Sequence, residues 1–472
     1  MKMSKFALSA MIASACFAGT AFGQSNRTAP RYYPASYYSY YQDGAAPAAQ
    51  APAPIASASD AKSSSACCDN TPACDVAAIC DGKGSSCDAL ANCGCGDNSC
   101  DGGCGSAGIL SGIFGGECCL GEPFKLVPDG ICGINVGGWT SVGYHDRSNP
   151  GSFNNYDGRV QLGQQWLYAE KIADGSEGLG LGGRIDYVYG TDAPDTQAFG
   201  TANGNWDQSW DNGIGNGGYG HAIPQLYGEA AMGDLSVKVG HFFTIVGNEV
   251  VQSTGNFFYS RQFTFYNAEP FTHSGALTTY NLDADTQLYN GYVMGWDSAF
   301  DDNGDAYIGG IKRKLNDTFT FLYTTVLGRF GDAVGAVQEK GAVHNVILTA
   351  NLSEKWTFIS QTDVLYTNNV GGTTQRNTFG NINYLIYKVN DCVSIGNRFE
   401  WFNFSGAGFV QNQNPVQNGD LYNYTLGLNY KVNSNLMFRP EARWVWDRER
   451  FGFNENGASS QTAIGGDMLF TF

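Results

Sequence analysis

The residues best equipped for chemistry in this chain are its cysteines. Five Cys-Asp pairs recur at Cys68-Asp69, Cys74-Asp75, Cys80-Asp81, Cys87-Asp88 and Cys100-Asp101, together with Cys67, Cys93, Cys95, Cys104, Cys118, Cys119 and Cys132. Thiols at this density form disulfides in an oxidising compartment, where a Gly/Ser-rich stretch without an apolar core needs staples to hold a shape. Zinc is the rival chemistry, disfavoured because no histidine precedes His145 and because the adjacent carboxylates oppose thiolate formation. A second set is charged. Arg184 and Asp186, Arg398 and Glu400, and Arg439, Glu441 and Arg443 follow i, i+2 spacing, which in a strand puts each group on one face. Catalytic constellations are missing from the sequence. His145, His221, His241, His273 and His344 have no Ser or Cys motif beside them, and there is no phosphate loop or two-His metal motif. The acidic run 301–305 has Ala306 where a calcium loop needs glycine and Lys312 where it needs glutamate. The sequence therefore predicts no enzyme, no cofactor and no metal.

The elements that must position these groups fall into zones. Residues 1–23 read as an export signal, with Lys2 and Lys5 ahead of the apolar run from Phe6 to Ala13 and small residues leading to Ala21-Phe22-Gly23. Residues 24–62 are a low-complexity tether, Tyr-rich and then Ala/Pro-rich. Residues 63–132 form a Cys-rich periplasmic segment whose Ile109-Leu110 and Ile113-Phe114 recur at helical spacing and are expected to pack on a rim. Without Cys16 the chain keeps 13 of its 14 cysteines, so at least one is free or shared with another chain, and cross-linking to an envelope component follows as an expectation. From 133 to 472 only Cys392 remains, and alternation takes over. Gly (63), Phe (29), Tyr (26) and Trp (9), with 15% charged residues, suit strands and aromatic girdles. A net charge of −17 argues against a nucleic-acid partner, because no basic stripe is available to neutralise phosphates. No stretch after the signal approaches the roughly 18 apolar residues of a membrane helix, so any span must be built of strands.

Sixteen such strands are expected, near 133–144, 158–170, 178–190, 222–232, 234–243, 272–281, 286–297, 304–314, 317–329, 342–351, 355–367, 377–388, 392–404, 421–431, 435–447 and 459–472. Links after even strands are short, as in Met232-Gly233-Asp234 and Val389-Asn390-Asp391, and those after odd strands are longer, as in 191–221, 244–271 and 405–420. That parity predicts an all-β protein, a transmembrane antiparallel β-barrel entered from the periplasm, with a disordered Cys-rich leader. The faces agree. Leu436, Phe438, Ala442, Trp444 and Trp446 oppose Arg439, Glu441 and Arg443, and Leu179, Leu181, Ile185, Tyr187 and Tyr189 oppose Arg184 and Asp186. The chain ends on Ile464, Met468, Phe470 and Phe472 along one face, resembling the C-terminal signal of outer-membrane barrels. Sixteen strands enclose room for water, and the charged face is expected to line it.

Particular motifs carry a further likeness. Leu120-Gly121-Glu122-Pro123-Phe124-Lys125-Leu126, Gly137-Gly138-Trp139-Thr140, Gly163-Gln164-Gln165-Trp166, Tyr189-Gly190-Thr191-Asp192 and Gly240-His241-Phe242-Phe243-Thr244 resemble the β-barrel porins of planctomycete-type outer membranes over residues 117–472. The resemblance implies an outer-membrane barrel that passes small hydrophilic solutes or ions by diffusion, and a homotrimer by analogy with other 16-stranded porins. In general porins the loop after the fifth strand folds into the lumen. The aromatic-rich link 244–271 is expected to do so here, with Glu249, Arg261 and Glu269 setting a transverse field at the constriction. The alternative function is a structural envelope protein, anchored by its barrel and cross-linked through its leader.

Overall fold

In a strand whose side chains alternate between lipid and interior, each backbone group must pair with a neighbouring strand, and closure removes the two edges that hydrocarbon cannot satisfy. The computed structural model realises this in 16 strands. It describes residues 120–127 and 133–472, apart from stretches at 150–151, 154–155, 199–205, 208–209, 211–217, 301–303, 333–337 and 412–413. The signal, the tether, the apolar residues 109–114 and the twelve leader cysteines lie outside the described residues.

The first half comprises β1 (Asn135–His145), β2 (Gln161–Lys171), β3 (Gly180–Gly190), β4 (Gly220–Met232), β5 (Leu235–Phe243), β6 (Thr272–Asp283), β7 (Thr286–Val293) and β8 (Asp305–Lys314). The second half comprises β9 (Phe319–Asp332), β10 (Gln338–Asn351), β11 (Trp356–Asn369), β12 (Thr374–Lys388), β13 (Val393–Gln411), β14 (Asn414–Lys431), β15 (Leu436–Asp447) and β16 (Ser460–Thr471). Every strand pairs antiparallel with its sequence neighbours, and β16 closes on β1 with Val142 opposite Met468. All sixteen expected strands are present. The largest difference is at β13 and β14, which run into the link expected at 405–420. Ser405-Gly406-Ala407-Gly408 carries no large apolar residue, so alternation gave no sign that the hairpin continued.

The outward face is apolar where the sequence placed it: Leu181, Ile185, Leu426, Trp446, Ile464, Met468 and Phe470 are exposed. Aromatic pairs mark both ends of the wall, Trp356 against Tyr387 at the short-turn end and Phe379 against Trp401 at the other. The inward face differs from the expectation of a uniformly polar lining. Val293, Ile308, Val326, Val343 and Leu365 also face inward and are fully buried in one cluster with Val246, Phe263 and Ala268. The inserted link covers them, so they meet apolar atoms where water was expected.

At the short-turn rim, the Ser434 N–H donates to the Leu120 carbonyl (3.0 Å), and the Asn435 side chain bonds the Phe124 N–H (2.7 Å) and carbonyl (2.8 Å). These bonds fix the end of the leader on the β14–β15 turn. Cys392, in the neighbouring β12–β13 turn, is held in a disulfide, although the sequence suggested no partner for it.

Candidate functional site

The link between β5 and β6, residues 244–271, lies inside the barrel. It holds a short 3-10 turn (Ser253–Gly255) and a short α-helix, α1 (Phe263–Ala268), all of whose residues are buried. A chain segment that enters a barrel brings backbone N–H and C=O groups away from water, and each needs a partner. The inward charges of the wall supply them. The Glu441 carboxylate accepts the N–H groups of Tyr259 (2.9 Å) and Ser260 (3.1 Å), and Glu400 accepts those of Phe263 (3.0 Å) and Thr264 (2.6 Å). Arg439 donates to the carbonyls of Ser253 (2.7 Å) and Asn256 (2.6 Å) while its other nitrogens grip Asp467 in a two-pronged pair. Arg398 donates to the Ser260 carbonyl (2.9 Å) and pairs with Glu249. Glu249 also accepts the Gln262 N–H (2.7 Å) and the Tyr384 hydroxyl (2.9 Å). Hydrogen bonds with one charged partner are roughly twice as strong as neutral ones, and these are shielded from solvent.

The segment is also tied to itself and to the opposite wall. Arg261 donates to the carbonyls of Val250, Tyr259 and Val251 at 2.9–3.0 Å, closing the segment into a compact knot. Gln164 on β2 donates to the Val251 carbonyl (2.6 Å) and accepts the Ser253 N–H (2.9 Å). Arg443 lies over the Phe263 ring at 4.4 Å and bonds Asn423 (3.1 Å). Glu269 bonds Gln361, and burial first, then the nearby Asp363, holds its carboxyl well above the usual range. Inward glycines seat side chains of the segment. A Cβ at Gly143 would lie 2.3 Å from Tyr259, one at Gly380 2.6 Å from Thr264, and one at Gly396 2.5 Å from Phe257. On the short-turn side the segment borders a small hollow of about 40 Å³ lined by Glu249, Asn256, Phe257, Ile359, Tyr384 and Ile386, among others.

Of the residues singled out in the sequence, Glu249, Arg261, Glu269, Arg398, Glu400, Arg439, Glu441 and Arg443 thus meet around one inserted segment, all of them buried. Arg184 and Asp186 stand apart on β3, bonded to each other at 2.6 Å, with Glu170 at 3.2 Å from the Arg184 guanidinium and the Trp166 indole N–H on Asp186 at 2.7 Å. Sequence reasoning missed Gln164, Gln361, Tyr384 and Asp467, because a lone amide, hydroxyl or carboxylate in a strand says nothing about which distant backbone group it will meet. The seating glycines did leave a signal: glycine at an inward strand position marks a close approach.

A closed, 16-stranded antiparallel barrel with an apolar belt outside and a link folded into its interior defines an outer-membrane channel protein. Residues 133–472 match the family described as beta-barrel porin-2, OmpL-like, and the chain belongs to that family. No curated protein matches the chain. Among solved structures the chain is similar to the in-vitro folded outer membrane protein OmpT of Vibrio cholerae in its trimer form, at 10% identity over 72% of this chain and 99% of that one, with a TM-score of 0.48. It is also similar to an anion-selective porin from Comamonas acidovorans, at 10% identity, with the same shares covered and a TM-score of 0.47.

Proposed function

We propose that this porin carries small hydrophilic solutes or ions across the outer membrane by passive diffusion, and that residues 244–271 set its size limit. The observation that supports the size limit is the clamp. Glu249, Arg398, Glu400, Arg439 and Glu441 hold the inserted segment through its own backbone. The charges expected to bias passing ions at Glu249 and Arg261 act first as the ties of that segment, so the selectivity of the channel rests on how the segment sits. The reading involves no catalysis. Export by the N-terminal signal, self-association of barrels, and cross-linking through leader cysteines complete it.

Single-channel recording of the full-length protein in a planar bilayer tests the reading. Stepwise openings with a small unit conductance are expected, and the reversal potential under a salt gradient reports whether cations or anions pass more readily. A folded, inserted protein that never conducts would overturn it in favour of an anchoring barrel.

A further inference from the structure

The wall charges that grip the inserted segment spend most of their polar atoms on that task. Arg398 pairs with Glu249 and Arg439 with Asp467, while Glu400 and Glu441 give their oxygens to backbone N–H groups. Arg398 leaves only Nε without an acceptor. Arg443 is different. It donates from Nε to the Asn423 amide oxygen (3.1 Å), and its whole outer edge, Nη1 and Nη2, has no acceptor among the described residues. That edge is out of reach of bulk water, since Arg443 is only 2% exposed. Its guanidinium carbon stands 4.4 Å from the centre of the Phe263 ring, so α1 covers one side of it. The residue opposite on β16 is Ala463, whose single methyl supplies no competing group. Thr425 is opposite both Arg398 and Arg443, which sets the two arginines two strand spacings apart, each about 4.8 Å.

We infer that the outer edge of Arg443 binds the carboxylate group of a small solute. A guanidinium keeps its charge at any accessible pH, and burying its donors without acceptors costs more than burying neutral ones. With Nε already taken, the free edge presents two parallel N–H groups from Nη1 and Nη2. That spacing matches the two oxygens of a carboxylate, which a lysine ammonium cannot reproduce. The surroundings limit the charge of the occupant. Glu441 lies two positions earlier on the same inward face of β15, and Glu400 accepts from the same Asn423 amide that takes the Arg443 Nε–H. Those two carboxylates repel a second negative charge, so the site suits a monoanion. The inference deepens the diffusion reading by naming a solute class, and rests on it only for transport.

The test measures binding of formate, the smallest carboxylate, to the full-length protein in lipid. An anion that binds the folded barrel and not the unfolded chain raises the urea midpoint of unfolding. In wild type the midpoint is expected to stand higher in sodium formate than in sodium chloride at the same concentration, and to level off as formate increases. R443K keeps the charge without the fork, and R443Q keeps neither. Both should lose the saturable part and retain only the general difference between the two salts, with heat-dependent mobility showing that each variant is a folded barrel. Equal midpoints in the two salts would overturn the inference and leave the Arg443 edge to water. A saturable formate effect that survives in R443Q would also overturn it, because the carboxylate would then sit elsewhere. In a planar bilayer, formate should lower the chloride current of wild type and not of R443Q. A protein that binds formate but never conducts overturns the diffusion reading and leaves the site standing, whereas one that conducts with no formate effect in either assay overturns the site alone.

Discussion

Glu441 and Glu269 are both buried carboxyls near the same segment, and they differ in what they hold. Glu441 is a wall residue whose charge is matched to two backbone N–H donors of the inserted link. Glu269 belongs to the link itself, beside Asp363, where burial and the second carboxyl favour its protonated form. The neutral isostere should therefore act oppositely at the two sites. Glu441→Gln weakens two charge-assisted hydrogen bonds and is expected to cost ~2–4 kcal/mol of unfolding free energy. It should also make the 244–271 segment easier to cleave by protease. Glu269→Gln removes a carboxyl whose charged form burial and Asp363 disfavour, and should stay within about 0.5–1 kcal/mol of wild type at neutral pH. Urea titration of both variants in the same lipid checks this, and equal destabilisation would show that the clamp is not built on charge.

The link as an element is held by shape as well as by charge. The wall glycines on β1, β12 and β13 sit under Tyr259, Thr264 and Phe257, so the ring or methyl lies where a Cβ would be. Gly396→Val would drive at least one methyl into the Phe257 ring. The Phe257 ring packs edge-on against Phe258 and borders the hollow, so part of the displacement is taken up there and the rest falls on the segment. Overpacking of this kind costs about 1–3 kcal/mol. The variant is expected to keep 16 strands, judged by circular dichroism and heat-dependent mobility, while its unit conductance changes. A wild-type conductance in a protein with the valine in place would mean that the segment does not bound the path.

The whole molecule joins a barrel to a leader, and the two make separable claims on function. The barrel's strands are closed on themselves, while the end of the leader is bonded to the β14–β15 turn and the disulfide of Cys392 sits on the adjacent turn. Deleting residues 24–115 leaves the hydrogen-bonded stretch from Leu120 in place. Stepwise conductance should survive that deletion if transport belongs to the barrel. Loss of envelope integrity in cells carrying the truncated protein, with conductance intact, would assign the leader a structural task of its own. Loss of conductance itself would show that the leader takes part in the channel.

The sequence by itself determined the barrel, the strand number and the inside-outside sense of most strands, because a two-residue period and the parity of link lengths are local properties read along one dimension. It also marked the 244–271 link, whose aromatic run is too apolar for a solvated loop. Only the tertiary structure decided what the inward charges do. Glu400 and Glu441 are read along their strands as lining groups, and they become acceptors for backbone N–H groups more than a hundred residues away. The inward valines and isoleucines of β7–β11 were equally illegible, since in a strand an apolar residue facing lipid and one facing a buried link have the same sequence signature. Side-chain direction follows from register, and register across a barrel is set by closure of the whole sheet.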